Sequence, residues 1–373
     1  MSLLRRTAPA SPVVPGTDAR PNRPWIVAVV TVGTFLVAAC SADDGGAEGQ
    51  SPAPPETSVS TTLDASLSAE PSPVPPFPTG GPVPPGRMVF TRAGSSYADD
   101  TPFVSRLDGS HERQLAGTDT CCIRLSPDGR AILGSTVTKD GRITTGIYPL
   151  AGTDPRVLPL PPGTLNLGPG AWTSDGEQIV VQGWDDTHPA AAGMYVVDSS
   201  DGSHRTRLTR EPRHTNDVPG DVSPDGTLLA FVREDAPGDE STSVGALEVL
   251  DLAAPGKIHT LLPSSSQVGL TVRFSPDGSL ILFQDGRTSQ RGALWTIRPD
   301  GSHLTKLFDD PDLFASHPTW SPDGRQILFA LNPVADYYDH PPNAFYVMDA
   351  DGTGVRQVFD DGQFKREAEW FLP

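Results

Sequence analysis

The chain is poor in the residues from which reactive or nucleic-acid-binding centres are commonly built. Of 373 residues only 3 are cysteine, too few for a disulfide-built scaffold or a four-cysteine zinc site. Basic residues number 28 against 46 acidic ones, a formal net charge of −18. Phosphate binding needs clustered Lys and Arg, so this balance argues against a nucleic-acid partner. Hydrophobic residues make up 36%, while Pro and Gly number 40 and 37. Both oppose helix interiors, which argues against a helical bundle. No Gly-x-Ser-x-Gly elbow, His-Glu-x-x-His pair, Cys-x-x-Cys motif or phosphate-binding glycine loop occurs.

The 15-residue uncharged run at 25–39 is shorter than the roughly 20 residues of a membrane span and suits the core of a secretory signal. It ends in Leu36-Val37-Ala38-Ala39-Cys40. This resembles the bacterial lipobox, with Val37 where Leu is commoner. The resemblance implies a signal peptide over 1–39, removed on export, and a diacylglycerol-bearing Cys40 as the new N-terminus. Residues 41–86 hold 11 prolines between Pro52 and Pro85, mixed with Ser, Thr, Gly and Ala. Too few apolar residues are present to offset ordering entropy. The expectation is a lipidated Cys and disordered tether over 40–86, reaching about 140 Å if fully extended.

From residue 87 a repeat governs the chain. Ser-Pro-Asp-Gly occurs at 126–129, 223–226, 275–278 and 321–324, with Thr173-Ser174-Asp175-Gly176 as a degenerate copy. The aspartates stand 47, 50, 52 and 46 residues apart. An apolar residue precedes each copy (Leu125, Trp172, Val222, Phe274, Trp320) and a β-rich run follows. Pro presets φ, Asp bonds the backbone ahead and Gly accepts positive φ, so the tetrapeptide makes a hairpin turn. A third strand, a second turn such as Asp300-Gly301-Ser302, and a short fourth strand complete each period. Four strands per 40–50 residues is the pattern of a β-propeller. The N-terminal period lacks its innermost strand, and Glu369-Trp370-Phe371 matches Thr319-Trp320. The expectation is an all-β, six-bladed propeller over 87–373, with four antiparallel strands per blade, closed by the C-terminal strand.

These elements resemble the WD40-like PD40 repeats of TolB-like six-bladed propellers, over the whole of 87–373. The small α/β domain preceding the propeller in TolB is replaced here by lipobox and tether, so TolB's role beside the peptidoglycan-associated lipoprotein does not transfer. Similar repeats gate prolyl-oligopeptidase-type enzymes, but no hydrolase segment is present. A related propeller type forms pectate lyases, with metal-binding histidines.

The repeated Asp128, Asp175, Asp225, Asp277 and Asp323 read as turn formers, and His111, His204 and His303 as surface turn residues. His214 and His317 each precede an innermost strand. With Asp217, Glu367 and Glu369 they are candidate ligands for a divalent cation; the bland alternative is solvated polar residues at a channel mouth. Cys121 and Cys122 are candidates for a vicinal disulfide. Their α-carbons, about 3.8 Å apart, fall below the usual disulfide range; an exported protein nonetheless meets oxidants.

In an up-and-down blade the first and third connections share one rim, here made only of tight turns. The other rim carries the variable loops, where binding usually resides. These include 183–192 with Asp185 and Asp186, 234–245 with Glu234 and Asp235, and 332–343 with Tyr337, Tyr338 and Asp339. Together the three carry eight acidic side chains and no Lys or Arg, a charge of −8 with His neutral, which would steer a basic partner. The functional expectation is a monomeric, lipid-anchored, extracytoplasmic module that binds an envelope protein or glycan and performs no catalysis. It contacts the membrane through the lipid alone. The alternative is a metal-dependent lyase or hydrolase acting on envelope or imported glycans.

Overall fold

A computed structural model describes residues 77–78, 82–92, 100–115, 120, 122–152, 154–212, 214–235, 244–285, 292–333 and 343–372. Within these residues the chain is almost entirely β, with two single-turn 3-10 segments. No helix there is long and apolar enough to cross a membrane.

The strands form antiparallel sheets. The first sheet is ordered β24(Lys365–Phe371)-β1(Arg87–Arg92)-β2(Thr101–Arg106)-β3(Arg113–Gln114). The next is β4(Arg124–Leu125), β5(Ala131–Val137), β6(Ile143–Pro149) and β7(Arg156–Val157), followed by β8(Asn166–Trp172), β9(Gln178–Trp184), β10(Gly193–Asp198) and β11(Thr206–Arg207). An eight-stranded sheet joins two groups. These are β12(Thr215–Val222), β13(Leu228–Asp235), β14(Val244–Asp251) and β15(Ile258–Leu262), with β16(Val268–Phe274), β17(Ile281–Asp285), β18(Leu294–Ile297) and β19(Thr305–Phe308). The junction is short, Gly245 pairing with Val268 and Val244 with Gly269. The last sheet is β20(Leu313–Trp320), β21(Gln326–Pro333), β22(Ala344–Asp349) and β23(Arg356–Phe359).

The second strand of each group is apolar on both faces, and period-two alternation explains why. Met88 and Phe90 of β1 pack with Leu328, Ala330, Phe345 and Trp370, whereas Val89 between them packs with Ile123, Ile132 and Tyr148. Leu133 turns to Val181 and Tyr195; Val180 turns to Leu229 and Phe231. Ala230 and Val232 meet Val272 and Phe283, and Leu282 meets Phe329 and Tyr346. Each core therefore lies between sequential groups, and the last between the C-terminal and N-terminal ones.

The turn motifs repeat atom for atom. Ser126 Oγ donates to Asp128 Oδ1 (2.6 Å) and receives the Ala131 N–H (3.0 Å), while Gly129 N–H bonds Ser126 O (2.9 Å). Ser223–Asp225, Ser275–Asp277 and Ser321–Asp323 reproduce the hydroxyl–carboxylate bond at 2.6, 2.6 and 2.7 Å, and Thr173–Asp175 at 2.6 Å. In the second turns His111, His204 and His303 have φ of 56, 50 and 58°, the region favouring glycine, and Gly354 fills that place in the last copy.

Part of the segment assigned to the tether is packed on the sheets. Phe77 lies edge-on to Phe308 and Tyr346, with centroids 5.9 and 6.0 Å away, and Pro78 O accepts the Gln357 N–H at 3.1 Å.

Candidate functional site at the convergence of the first strands

The first strands of the groups converge, β8 against β12, β12 against β16, β16 against β20 and β20 against β24. Five of these six strands slip register just before their last residues, as between Pro219 and Asp221 or Ser316 and Thr319. Such bulges re-aim side chains. Three residues before the apolar residue that precedes each turn, Cys122, His317 and Glu367 take φ of 63, 51 and 54°. One residue before it stand Arg124, Ala171, Asp221, Arg273, Thr319 and Glu369. The last column brings two guanidinium and two carboxylate groups to one level.

Most of these groups bond to one another or to backbone across the groups of strands. Arg273 Nη2 donates to Glu369 Oε1 at 2.7 Å, and both side chains are nearly buried. Thr319 Oγ1 reaches Glu369 Oε2 at 3.5 Å. Asp221 Oδ2 accepts the Phe274 N–H at 2.9 Å, and Glu367 Oε2 the Ile123 N–H at 3.0 Å. Arg124 Nη1 donates to Ile123 O at 2.7 Å. Trp172 and Trp320 donate their indole N–H to Arg124 O (3.1 Å) and Arg273 O (3.4 Å) of the preceding group. Burial pushes the Asp221 carboxyl up to about 6, against the opposing pull of Arg273 and the Phe274 N–H. Burial, then the positive Arg366, Arg124 and Arg273, push His317 down to about 3, so its imidazole is neutral at pH 7.

The five residues named as cation ligands are not brought together. Among the described residues no group of three His, Cys, Asp or Glu side chains could hold a metal ion. Asp217 is fully buried and bidentate to Arg233, at 2.7 and 3.0 Å. Glu369 is held by Arg273 and Glu367 by the Ile123 amide. His317 has three guanidinium groups in its field, which opposes a divalent cation. His214, at φ 66°, precedes β12.

The loop residues divide. Asp185 is buried and accepts from the Thr187 N–H (2.9 Å), His188 N–H (2.8 Å) and Thr164 hydroxyl. Burial works to raise its pKa, but these bonds hold it below the usual value. It shapes its loop instead of presenting charge. Glu234 is buried and accepts from Asn216 Nδ2 at 3.1 Å. Asp186 is exposed. The Asp235 side chain, Tyr337, Tyr338, Asp339, Cys121 and Cys40 lie outside the described residues, and with them the vicinal disulfide and the lipid attachment. The axial residues Arg124, Asp221, Arg273 and Thr319 escaped the sequence reading. Their signal was the position one residue before the apolar residue of each repeat, which changes from copy to copy and holds four ionisable side chains.

No family model matches the chain. A stretch of 110 residues is 26% identical to the uncharacterized peptidase YuxL of Bacillus subtilis (strain 168); it covers 30% of this chain and 16% of that relative. Among solved structures, one described as TolB from Agrobacterium tumefaciens superposes with TM-score 0.53 at 20% identity, over 77% of this chain and 98% of the other. TolB from Acinetobacter baumannii gives 0.58 at 17%, over 77% and 67%. A chain of a nidogen–laminin complex gives 0.53 at 11%, over 77% and 99%. What these likenesses share is architecture: the chain has a β-propeller fold of the kind seen in the TolB structures.

Proposed function

We propose that the chain is a lipid-anchored, extracytoplasmic six-bladed propeller, closed by its C-terminal strand, that acts as a non-catalytic binding module of the cell envelope. The observation that carries the reading is the bonding at the converging strands. Arg273–Glu369, Asp221–Phe274 and Glu367–Ile123 each join different groups of strands. Among the described residues, these bonds tie ionisable side chains of one group of strands to the next, which supports a structural role for them. Six four-strand groups and the pairing of β24 with β1 support the six-bladed closed form. The lipobox motif supports the anchor, and the acidic loop residues other than the buried Asp185 and Glu234 support an envelope protein or glycan partner of basic character.

The test uses the full chain in detergent micelles, crosslinked in envelope extracts at low and high salt. The expected result is one saturable partner whose capture weakens with salt, as exposed charge steering requires. Release of unsaturated or newly reducing sugar ends from envelope glycans by the purified chain, with or without added divalent metal, would overturn the reading in favour of the lyase or hydrolase alternative.

A further inference from the structure

Phe77 and Pro78 belong by composition to the tether, yet they occupy a defined place on the outer wall of the sheets. The place is an aromatic slot. Phe308 of β19, Phe329 of β21 and Tyr346 of β22 surround it, with Phe308–Phe329 centroids at 5.5 Å and Phe329–Tyr346 at 6.2 Å. Phe77 meets Phe308 and Tyr346 edge-on and joins the core shared by the last two groups of strands. The Tyr346 phenol is pushed up to about 12, by burial and then by Asp360. At the rim of the slot β23 is an edge strand, and an edge strand presents unpaired amides. The Gln357 amide finds its acceptor in Pro78 O at 3.1 Å. An aromatic ring in the slot and a carbonyl on the edge together give a docking interaction with both an apolar and a directional part.

The position has a mechanical consequence. Arg87 and Phe371 are register partners at one end of the β1–β24 pair. A pull arriving through Arg87 with the C-terminal end held would therefore unzip that pair one bond at a time, starting at the junction between the first and last strands. Phe77 lies ten residues earlier and grips the opposite partners, β19, β22 and β23. A load entering from the N-terminal side meets this grip before it reaches β1.

We propose that the slot formed by Phe308, Phe329, Tyr346 and the Gln357 amide is the docking site of the chain's own tether, and that Phe77 and Pro78 act there as a strain-relief clip protecting the β1–β24 closure. The proposal rests on the anchored reading for its purpose, but the docking itself does not depend on the lipid.

Two measurements test it on the full chain. The first is hydrogen exchange at the Gln357 amide. In the native protein it should be slow; in Phe77→Ala it should speed by tenfold or more, while Phe77→Tyr should stay within a few-fold of the native rate. Equal protection in Phe77→Ala, or fast exchange in the native chain, overturns the docking. The second is extension between the two termini in a single-molecule trap. The native chain should show a small first step, the release of residues 78–86, about 30 Å at roughly 3.3–3.6 Å per residue. That step should vanish in Phe77→Ala, so that load reaches the β1–β24 pair from the start of the pull. A first step that persists in Phe77→Ala overturns the strain-relief role. Detergent partitioning of Cys40→Ser reads the lipid separately, so a missing anchor and a missing clip give different results.

Discussion

The turn rim and the axial lining are built from the same repeat and use charge in opposite ways. On the rim every copy makes the same Ser/Thr–Asp bond within 0.1 Å, from 2.6 to 2.7 Å. The carboxylates are exposed and their pKa values are lowered, first by the neighbouring hydroxyl. At the axis the column runs Arg124, Ala171, Asp221, Arg273, Thr319 and Glu369, no two neighbours alike in the chain. Its bonds reach between groups of strands. A residue that recurs in every repeat solves a problem that every repeat has. One that differs in each solves a problem of the whole ring, and that is where the chain departs from a generic scaffold.

The largest expected effect tests how the whole ring is closed. Deleting 365–372 removes β24, the partner of β1, together with Trp370 and Phe371 from the cores they join. Loss of one buried Trp alone costs about 3–5 kcal/mol, against a total of roughly 5–15 kcal/mol for a domain. The expected outcome is loss of the cooperative thermal transition, followed by circular dichroism. A truncated chain that melts as the native one does would show that β24 closes nothing.

The next effect separates axis from rim. Arg273→Met leaves Glu369 buried without its partner and should cost about 3–5 kcal/mol, while Arg273→Met with Glu369→Leu should recover most of it. Denaturant titration of the single and double variants measures the coupling. Additive losses would mean that the pair is not joined in solution.

Much of this arrangement was legible in the sequence. The Pro and Gly of each turn motif fix a backbone shape by local chemistry, so strand count, spacing and the match of Trp370 to Trp320 could be read residue by residue. The axis was harder. Asp217 and Glu369 looked like cation ligands because sequence shows the donors and hides Arg233 and Arg273, which arrive from other strands. Asp185 looked like surface charge because its donors are two amides of its own loop and the Thr164 hydroxyl of the loop before β8, which only the fold brings beside it. Phe77 was hidden by its surroundings: one aromatic side chain in a Pro-rich stretch does not announce a slot about 230 to 280 residues away.

The smallest effect sharpens the comparison through pH, because the two classes of aspartate carry opposite signs. Asp277 on the rim has a folded pKa below its ordinary value of 3.8, from Ser275 and then Ser279. Its contribution to stability is therefore present above the unfolded pKa and fades as pH falls through the folded one. Asp277→Ala should cost about 1 kcal/mol or less at pH 7, the net worth of an exposed hydrogen-bonded turn, and should flatten part of the acid limb of the stability curve. Asp221 at the axis has its folded pKa raised from 3.8 to about 6. Its protonated form is the one the fold favours, so its contribution is full below the unfolded pKa and is lost as pH rises through about 6. Asp221→Asn keeps an oxygen for the Phe274 amide and cannot ionise. The variant should lose the native chain's decline in stability between pH 4 and 6 while leaving the acid limb below pH 4 in place. Denaturant midpoints measured across pH 3 to 8 for the native chain and both variants give the two slopes directly. If Asp221→Asn and Asp277→Ala change the same limb, axis and rim aspartates sit in equivalent environments and the distinction between the two regions fails.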